Sequence, residues 1–228
     1  AVPALKLEIG RNVLTGTLAL DPAMQPSGKF DFDFPDMGLV AALAGQKAEG
    51  ALKGKAELSS ADGKLTTTVD ATGAVRGQAV AIAGQAVMEN GAVSLPRLKV
   101  DVGRNTLSGA ITLDESYLPN GRLEFDFPEI ALLAALAGQD AAGDLKGVAD
   151  ISSQNGTVVR GTIKAQGAKV SAAGASVAKP AIDLSIADLA TGQINGTVAA
   201  AEIVSGANRI GNLTLAFDRA GDATNFDL

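Results

Sequence analysis

A block of about 93 residues occurs twice in this chain, and it constrains the fold more than any other feature of the sequence. PALKLEIGRNVLTG (residues 3–16) returns as PRLKVDVGRNTLSG (residues 96–109), which carries Gly10 onto Gly103. The match continues without a gap. FDFDFPDMGLVAALAGQ (residues 30–46) becomes LEFDFPEIALLAALAGQ (residues 123–139), Leu52-Lys53-Gly54 becomes Leu145-Lys146-Gly147, and Ser59-Ser60 becomes Ser152-Ser153. A repeat this long exceeds the usual solenoid unit and reads as a whole supersecondary block joined end to end. The expected organisation is one continuous structure: a first block over residues 1–92, a second over 93–185, and a partial third over 186–228 that has lost register from about Ile182. The chain begins with Ala1 rather than Met, shows no signal segment, and is expected to be a piece of a longer protein.

Within each block the dominant period is two. Leu5, Leu7 and Ile9 alternate with Lys6 and Glu8; Leu14, Leu18 and Leu20 face away from Thr15 and Thr17; Phe30, Phe32 and Phe34 alternate with Asp31 and Asp33; Leu52 and Leu58 alternate with Lys53, Lys55 and Glu57. The second block repeats the pattern with Leu98, Val100 and Val102, then Leu107, Ile111 and Leu113, then Leu123, Phe125 and Phe127, and finally Leu145 and Ile151. Such alternation describes strands with one apolar and one wet face, the mark of antiparallel sheets. Turn signals separate them at Gly10-Arg11-Asn12, Gly103-Arg104-Asn105, Ser27-Gly28, Asp62-Gly63, Asn90-Gly91, Asn120-Gly121 and Asn155-Gly156. The predicted fold is all-β: a long antiparallel meander of roughly fourteen strands, too wide to stay flat, curled into a groove with an apolar interior. The apolar residues just named would line it.

One segment per block departs from this period. After the phenylalanine strand come Pro35 or Pro128, then Asp36 or Glu129, then an apolar run closed by Gly45 or Gly138. Proline suits a first helical turn, an acidic residue the positive end of a helix, and glycine its left-handed stop. The spacing predicts a helix of about ten residues in each block, on which Leu39 and Leu43, and Leu132 and Leu136, share the face turned to the sheet interior.

Composition closes off several functions. There is no Cys and no His, which removes thiol chemistry, disulfides, histidine triads and imidazole or thiolate metal sites. A net charge of −6 without a basic stripe argues against nucleic acid. Aromatics make up 4% of residues against 46% hydrophobics, so much of the apolar content is small Ala and Val, unable to fill a thick interior. Asp31, Asp33 and Asp36, with Glu124, Asp126 and Glu129, could suggest acid/base or calcium chemistry, but carboxylates two apart on a wet strand face are solvated, and no calcium-loop spacing exists. Gly50–Lys55 lacks the spacing of a phosphate loop and has no Ser or Thr after the lysine. No catalytic residue, metal site or cofactor is expected.

The combination of alternating strands, an acidic residue after proline, a short Leu-Ala-Ala-Leu-Ala-Gly segment and Leu-Lys-Gly resembles the TamB and AsmA-like group of bacterial envelope proteins, most clearly over 28–60 and 121–153. The resemblance implies a curled sheet with an apolar groove (a β-taco), a periplasmic location and, in the full-length protein, an inner-membrane anchor. It also implies a TamA-like outer-membrane barrel as partner. The implied function is phospholipid transport between membranes or outer-membrane protein assembly, with a phospholipid or other acyl chain as ligand and no catalytic residues. The competing reading from a different class is a structural or adhesin-like β-module whose apolar face is a dry, closed core.

Overall fold

A computed structural model describes residues 1–43, 45, 49–114, 117–154, 158–188, 191–220 and 223–227. The chain is all-β and antiparallel, with two short helices, and divides into two compact units, Ala1–Gly103 and Arg104–Leu228. The division falls in the Gly103-Arg104 turn rather than at the repeat boundary near residue 92. The reason is pairing: the strand that opens the second block is zipped to the last strand of the first.

The first unit is a seven-strand meander. Its strands are β1 (Val2–Ile9), β2 (Asn12–Leu20), β3 (Pro26–Phe34), β4 (Gly50–Ala61), β5 (Lys64–Val75), β6 (Gln78–Glu89) and β7 (Ala92–Val102), with helix α1 (Met37–Leu43) between β3 and β4. Each strand pairs antiparallel with the next in sequence. At four of the six connections a two-residue turn forces this, because it leaves no room for any partner but the neighbour; β2–β3 and β3–β4 pair across longer connections. Asp62-Gly63 and Asn90-Gly91 both take positive φ, the backbone that matches the twist of flanking strands in a tight hairpin.

The second unit carries β8 (Asn105–Leu113), β9 (Pro119–Phe127), helix α2 (Ile130–Leu136), β10 (Ala141–Gly143), β11 (Leu145–Gln154), β12 (Val158–Gln166), β13 (Lys169–Ala172), β14 (Ala175–Ala178), β15 (Ala181–Asp188), β16 (Gln193–Ser205), β17 (Asn208–Ala220) and β18 (Ala223–Asp227). Its main ladder runs β8–β9–β11–β12–β15–β16–β17–β18. A side ladder runs β10–β13–β14–β16. The eighteen strand segments exceed the expected fourteen partly because three rows break at one level. β10 and β11 are parted by Asp144, β12 and β13 by Gly167-Ala168, and β14 and β15 by Lys179-Pro180. The break is stitched across: Asp144 accepts hydrogen bonds from the amides of Ala168 at 2.7 Å and Lys169 at 3.1 Å, and the Gly167 amide donates to Pro180 at 3.1 Å.

Three local expectations need correction. Ser27-Gly28 and Asn120-Gly121 lie inside β3 and β9, not in turns. The connections are made just before them, where Asp21 and Asp114 each accept a hydrogen bond from the backbone amide four residues on, Gln25 and Leu118. The glycines serve packing instead: a Cβ at Gly28 would collide with the Thr17 carbonyl and crowd the Phe30 ring, and one at Gly121 would collide with the Ala110 carbonyl. Each helix is seven residues, not about ten, starting two residues after its proline, with Gly45 (φ 68°) or Gly138 (φ 70°) two residues past its end. Asn155-Gly156 lies outside the described residues.

Very little is buried. Among the described residues the only buried hydrophobics are Ala71, Val80, Ala134, Ala165 and Ala200, and the largest fully buried side chains are two asparagines. Strands touch their ladder neighbours, and each helix leans on the strand that follows it.

An apolar face as the candidate functional site

Strand register aligns the apolar face of the first unit into one line across all seven strands. Leu7 pairs with Leu14, then Phe32, Gly54, Ala71, Ile82 and Val100 follow in turn. In the second unit the line is Leu107, Phe125, Gly147, Ala165, Ile182, Val198 and Leu215. Six consecutive residue types, Leu-Phe-Gly-Ala-Ile-Val, are identical in the two lines. Yet the sequence offset drifts from 93 at Phe32 and Phe125 to 100 at Ile82 and Ile182. Hairpin lengthening shifted the sequence without shifting the spatial order. This correspondence was invisible in the linear repeat, which fades after Ser153.

The phenylalanines thicken the face where glycine thins it. A Cβ at Gly54 would come within 2.8 Å of the Phe32 ring, one at Gly16 within 2.7 Å of the Phe30 ring, and one at Gly147 within 2.7 Å of the Phe125 ring. Phe32 and Phe34 stack at 5.2 Å between ring centroids, and Phe125 and Phe127 repeat the pair at 5.2 Å. Aromatic rings lying over neighbouring-strand glycines shield backbone that has no side chain of its own.

Of the residues expected to line a groove, none is fully buried. Leu7 and Leu20 are exposed; the rest are half-buried, from Leu5, Ile9, Leu14 and Leu18 through Leu98, Val100 and Val102 to Leu145 and Ile151. The helix leucines differ among themselves. Leu132 and Leu136 are half-buried, while Leu39 stays 43% exposed with its Cδ1 resting above Gly10 in the β1–β2 turn. The side chain of Leu43 lies outside the described residues.

The opposite face is a lattice of charge. Thr15, Asp31, Lys55, Asp70, Ala83 and Lys99 form one cross-strand line, and Ser108, Glu124, Val148, Lys164, Asp183 and Thr197 form its counterpart. Ion pairs bridge neighbouring strands: Lys29–Glu57 at 3.0 Å, Lys55–Asp31 at 3.8 Å, Arg122–Asp150 at 3.2 Å and Lys164–Asp183 at 3.1 Å. Such exposed pairs contribute about 0–1 kcal/mol each, but opposite charges directly across a ladder favour one register. Shallow concavities of about 740 Å³ and 690 Å³ lie at equivalent places in the two units, both lined largely by these polar rows. The carboxylates at Asp31, Asp33, Glu124 and Asp126 are solvent-exposed, and among the described residues no three acidic, His or Cys side chains gather as a metal site would require.

One asparagine in each unit, read from the sequence only as part of a turn, pins the loop before the helix. Asn12 is 1% exposed and Asn105 2%. The Asn12 amide donates to the Asp36 carbonyl at 2.8 Å and accepts from the Asp36 amide at 3.0 Å. Asn105 makes the same pair of bonds with Glu129, both at 3.0 Å. Each asparagine thus mimics a strand partner and pins the post-proline loop, and the helix after it, to the first hairpin. The recurrence of Asn after Gly-Arg in both blocks was the available signal. Comparison with known proteins finds no matching family model, curated protein or solved structure.

Proposed function

We propose that the chain is a non-enzymatic section of a hydrophobic conduit that shields phospholipid acyl chains, as the resemblance to TamB implies. One observation carries this reading. Each unit has an unbroken apolar register line across seven strands, and its large side chains stay half-buried or exposed rather than buried. Water against that face is costly: about 2.5 kcal/mol is gained for every 100 Å² of apolar surface removed from it. A contiguous apolar face left only half-buried offers a surface for an apolar ligand. The dry-core alternative needs large side chains buried, and the buried hydrophobics described are four alanines and one valine. Residence in the periplasm and contact with an outer-membrane barrel are proposals for the full-length protein on the same resemblance.

The test is native mass spectrometry of the purified chain for co-purifying phospholipid. Bound lipid is expected in the wild type, retained in a Phe32→Leu, Phe125→Leu control and lost in Phe32→Asp, Phe125→Asp with the β-sheet circular dichroism intact. Lipid retained by the folded aspartate variant would overturn the assignment.

A further inference from the structure

The outer edge of β1 carries an interaction surface whose partner can be read from the chain itself. The strand PALKLEI at residues 3–9 has two relatives downstream, PRLKVDV at 96–102 in β7 and PAIDLSI at 180–186 in β15. Both relatives are flanked, on the side away from the following hairpin strand, by an antiparallel neighbour. For β7 that neighbour is β6, and for β15 it is β12. Among the described residues β1 pairs with β2 alone.

The two neighbours read alike. Opposite the first apolar residue after the proline (Leu98 or Ile182) stands Gly84 or Ala165; opposite the second (Val100 or Leu184) stands Ile82 or Ile163; opposite the residue next to the proline stands Gln85 or Gln166. A neighbour therefore runs Ile, any residue, Gly or Ala, Gln. Transferred to β1, the isoleucine covers Leu7 and the small residue Leu5. Leu7 is 50% exposed, whereas its equivalents Val100 and Leu184 are half-buried beneath their isoleucines. Backbone geometry agrees. In a hairpin closed by Ile9 and Asn12, alternation along the ladder turns the amides of Lys6 and Glu8 outward, where they would meet a neighbour's carbonyls.

We propose that the β1 edge docks, antiparallel, a strand of the β6 type supplied by another block of this kind, seated with isoleucine against Leu7 and glycine or alanine against Leu5. This is strand addition, in which main-chain bonds give affinity and alternate side chains give register. Lys164 of β12 pairs with Asp183 at 3.1 Å, so the position facing Lys6 suits an acidic residue by the same logic.

The probe is a fluorescent peptide of residues 78–89, QAVAIAGQAVME, added to the 228-residue chain. Anisotropy should report saturable binding, weakened at least tenfold by Ile82→Asp in the peptide. It should weaken as much by Lys6→Pro in the chain, a change that removes an outward amide from an edge strand without touching the β1–β2 ladder. The chain has no cysteine, so register can be read independently. Glu8→Cys should form a disulfide with a peptide carrying cysteine at position 81 and not with one carrying it at 83. No binding, equal binding by a scrambled peptide, unchanged binding to a folded Lys6→Pro chain, or cross-linking in another register would overturn the proposal. So would chain–chain disulfides from Glu8→Cys in preference to the peptide, since they would make a second copy's own edge the occupant.

Discussion

The smallest determinant of this architecture is a buried amide. Asn12 and Asn105 each satisfy both hydrogen-bonding ends of their side chain against one backbone unit, at Asp36 and Glu129, while nearly excluded from water. Removing one leaves a buried backbone donor and acceptor unpaired, which costs about 1–3 kcal/mol. Asn12→Ala and Asn105→Ala should each lower stability by that amount in denaturant titration, and a chain carrying both should lose the sum, because the sites share no partner. Asn105→Asp should be as damaging, since a carboxylate cannot donate to the Glu129 carbonyl. The sequence offered Gly-Arg-Asn as a turn, and a turn is there, but residue type does not reveal that a side chain will bridge 24 positions to the loop after a proline. Likewise the glycines of β3 and β9 looked like turn formers. Nothing local separates a glycine that bends the chain from one that makes room for a phenyl ring or a carbonyl.

At the scale of elements, strands were legible and their interruptions were not. Period-two alternation marks a strand wherever one face is apolar, and it located most of the ladder, whereas the shared break at Asp144, Gly167-Ala168 and Lys179-Pro180 depends on three segments meeting at one level. Asp144 gives that break a pH dependence. The amides of Ala168 and then Lys169 hold its carboxyl below the usual carboxylate range. A depressed folded-state value means the stabilisation is complete above the unfolded-state value and is lost as pH falls through the folded one. Hydrogen-exchange protection of the Ala168 and Lys169 amides, corrected for intrinsic rates, should therefore drop on acidification through that range. In Asp144→Asn the protection should be lower at neutral pH and nearly independent of pH there. The helices show the opposite limit of legibility. Their presence followed from proline, acid, leucine spacing and glycine, but their length was cut to two turns because the proline and acidic residue stay in the preceding loop.

At the scale of the whole chain, the duplication predicted a repeated sheet, and the two units deliver it, with matching register lines that the drifting sequence offset concealed. Each strand owes its stability chiefly to the strands on either side, so the free energy of a unit approximates a sum of neighbour terms rather than the worth of one core. Opening should then be graded. In the first unit, hydrogen exchange should be fastest in β1, which has one described neighbour, and slowest in β5 and β6, which have two long ones. Uniform protection from β1 to β7, lost in a single step with denaturant, would show that a common core governs after all.

Strands that answer only to their neighbours also leave length unconstrained in evolution. A barrel must close, and a sandwich must match two faces, so either resists the gain of a strand pair. Here a 93-residue segment occurs twice, and the longer hairpin of the second unit keeps the Leu-Phe-Gly-Ala-Ile-Val order of the first. Reach can thus be selected directly, by copying, while the surface that the copies present stays the same.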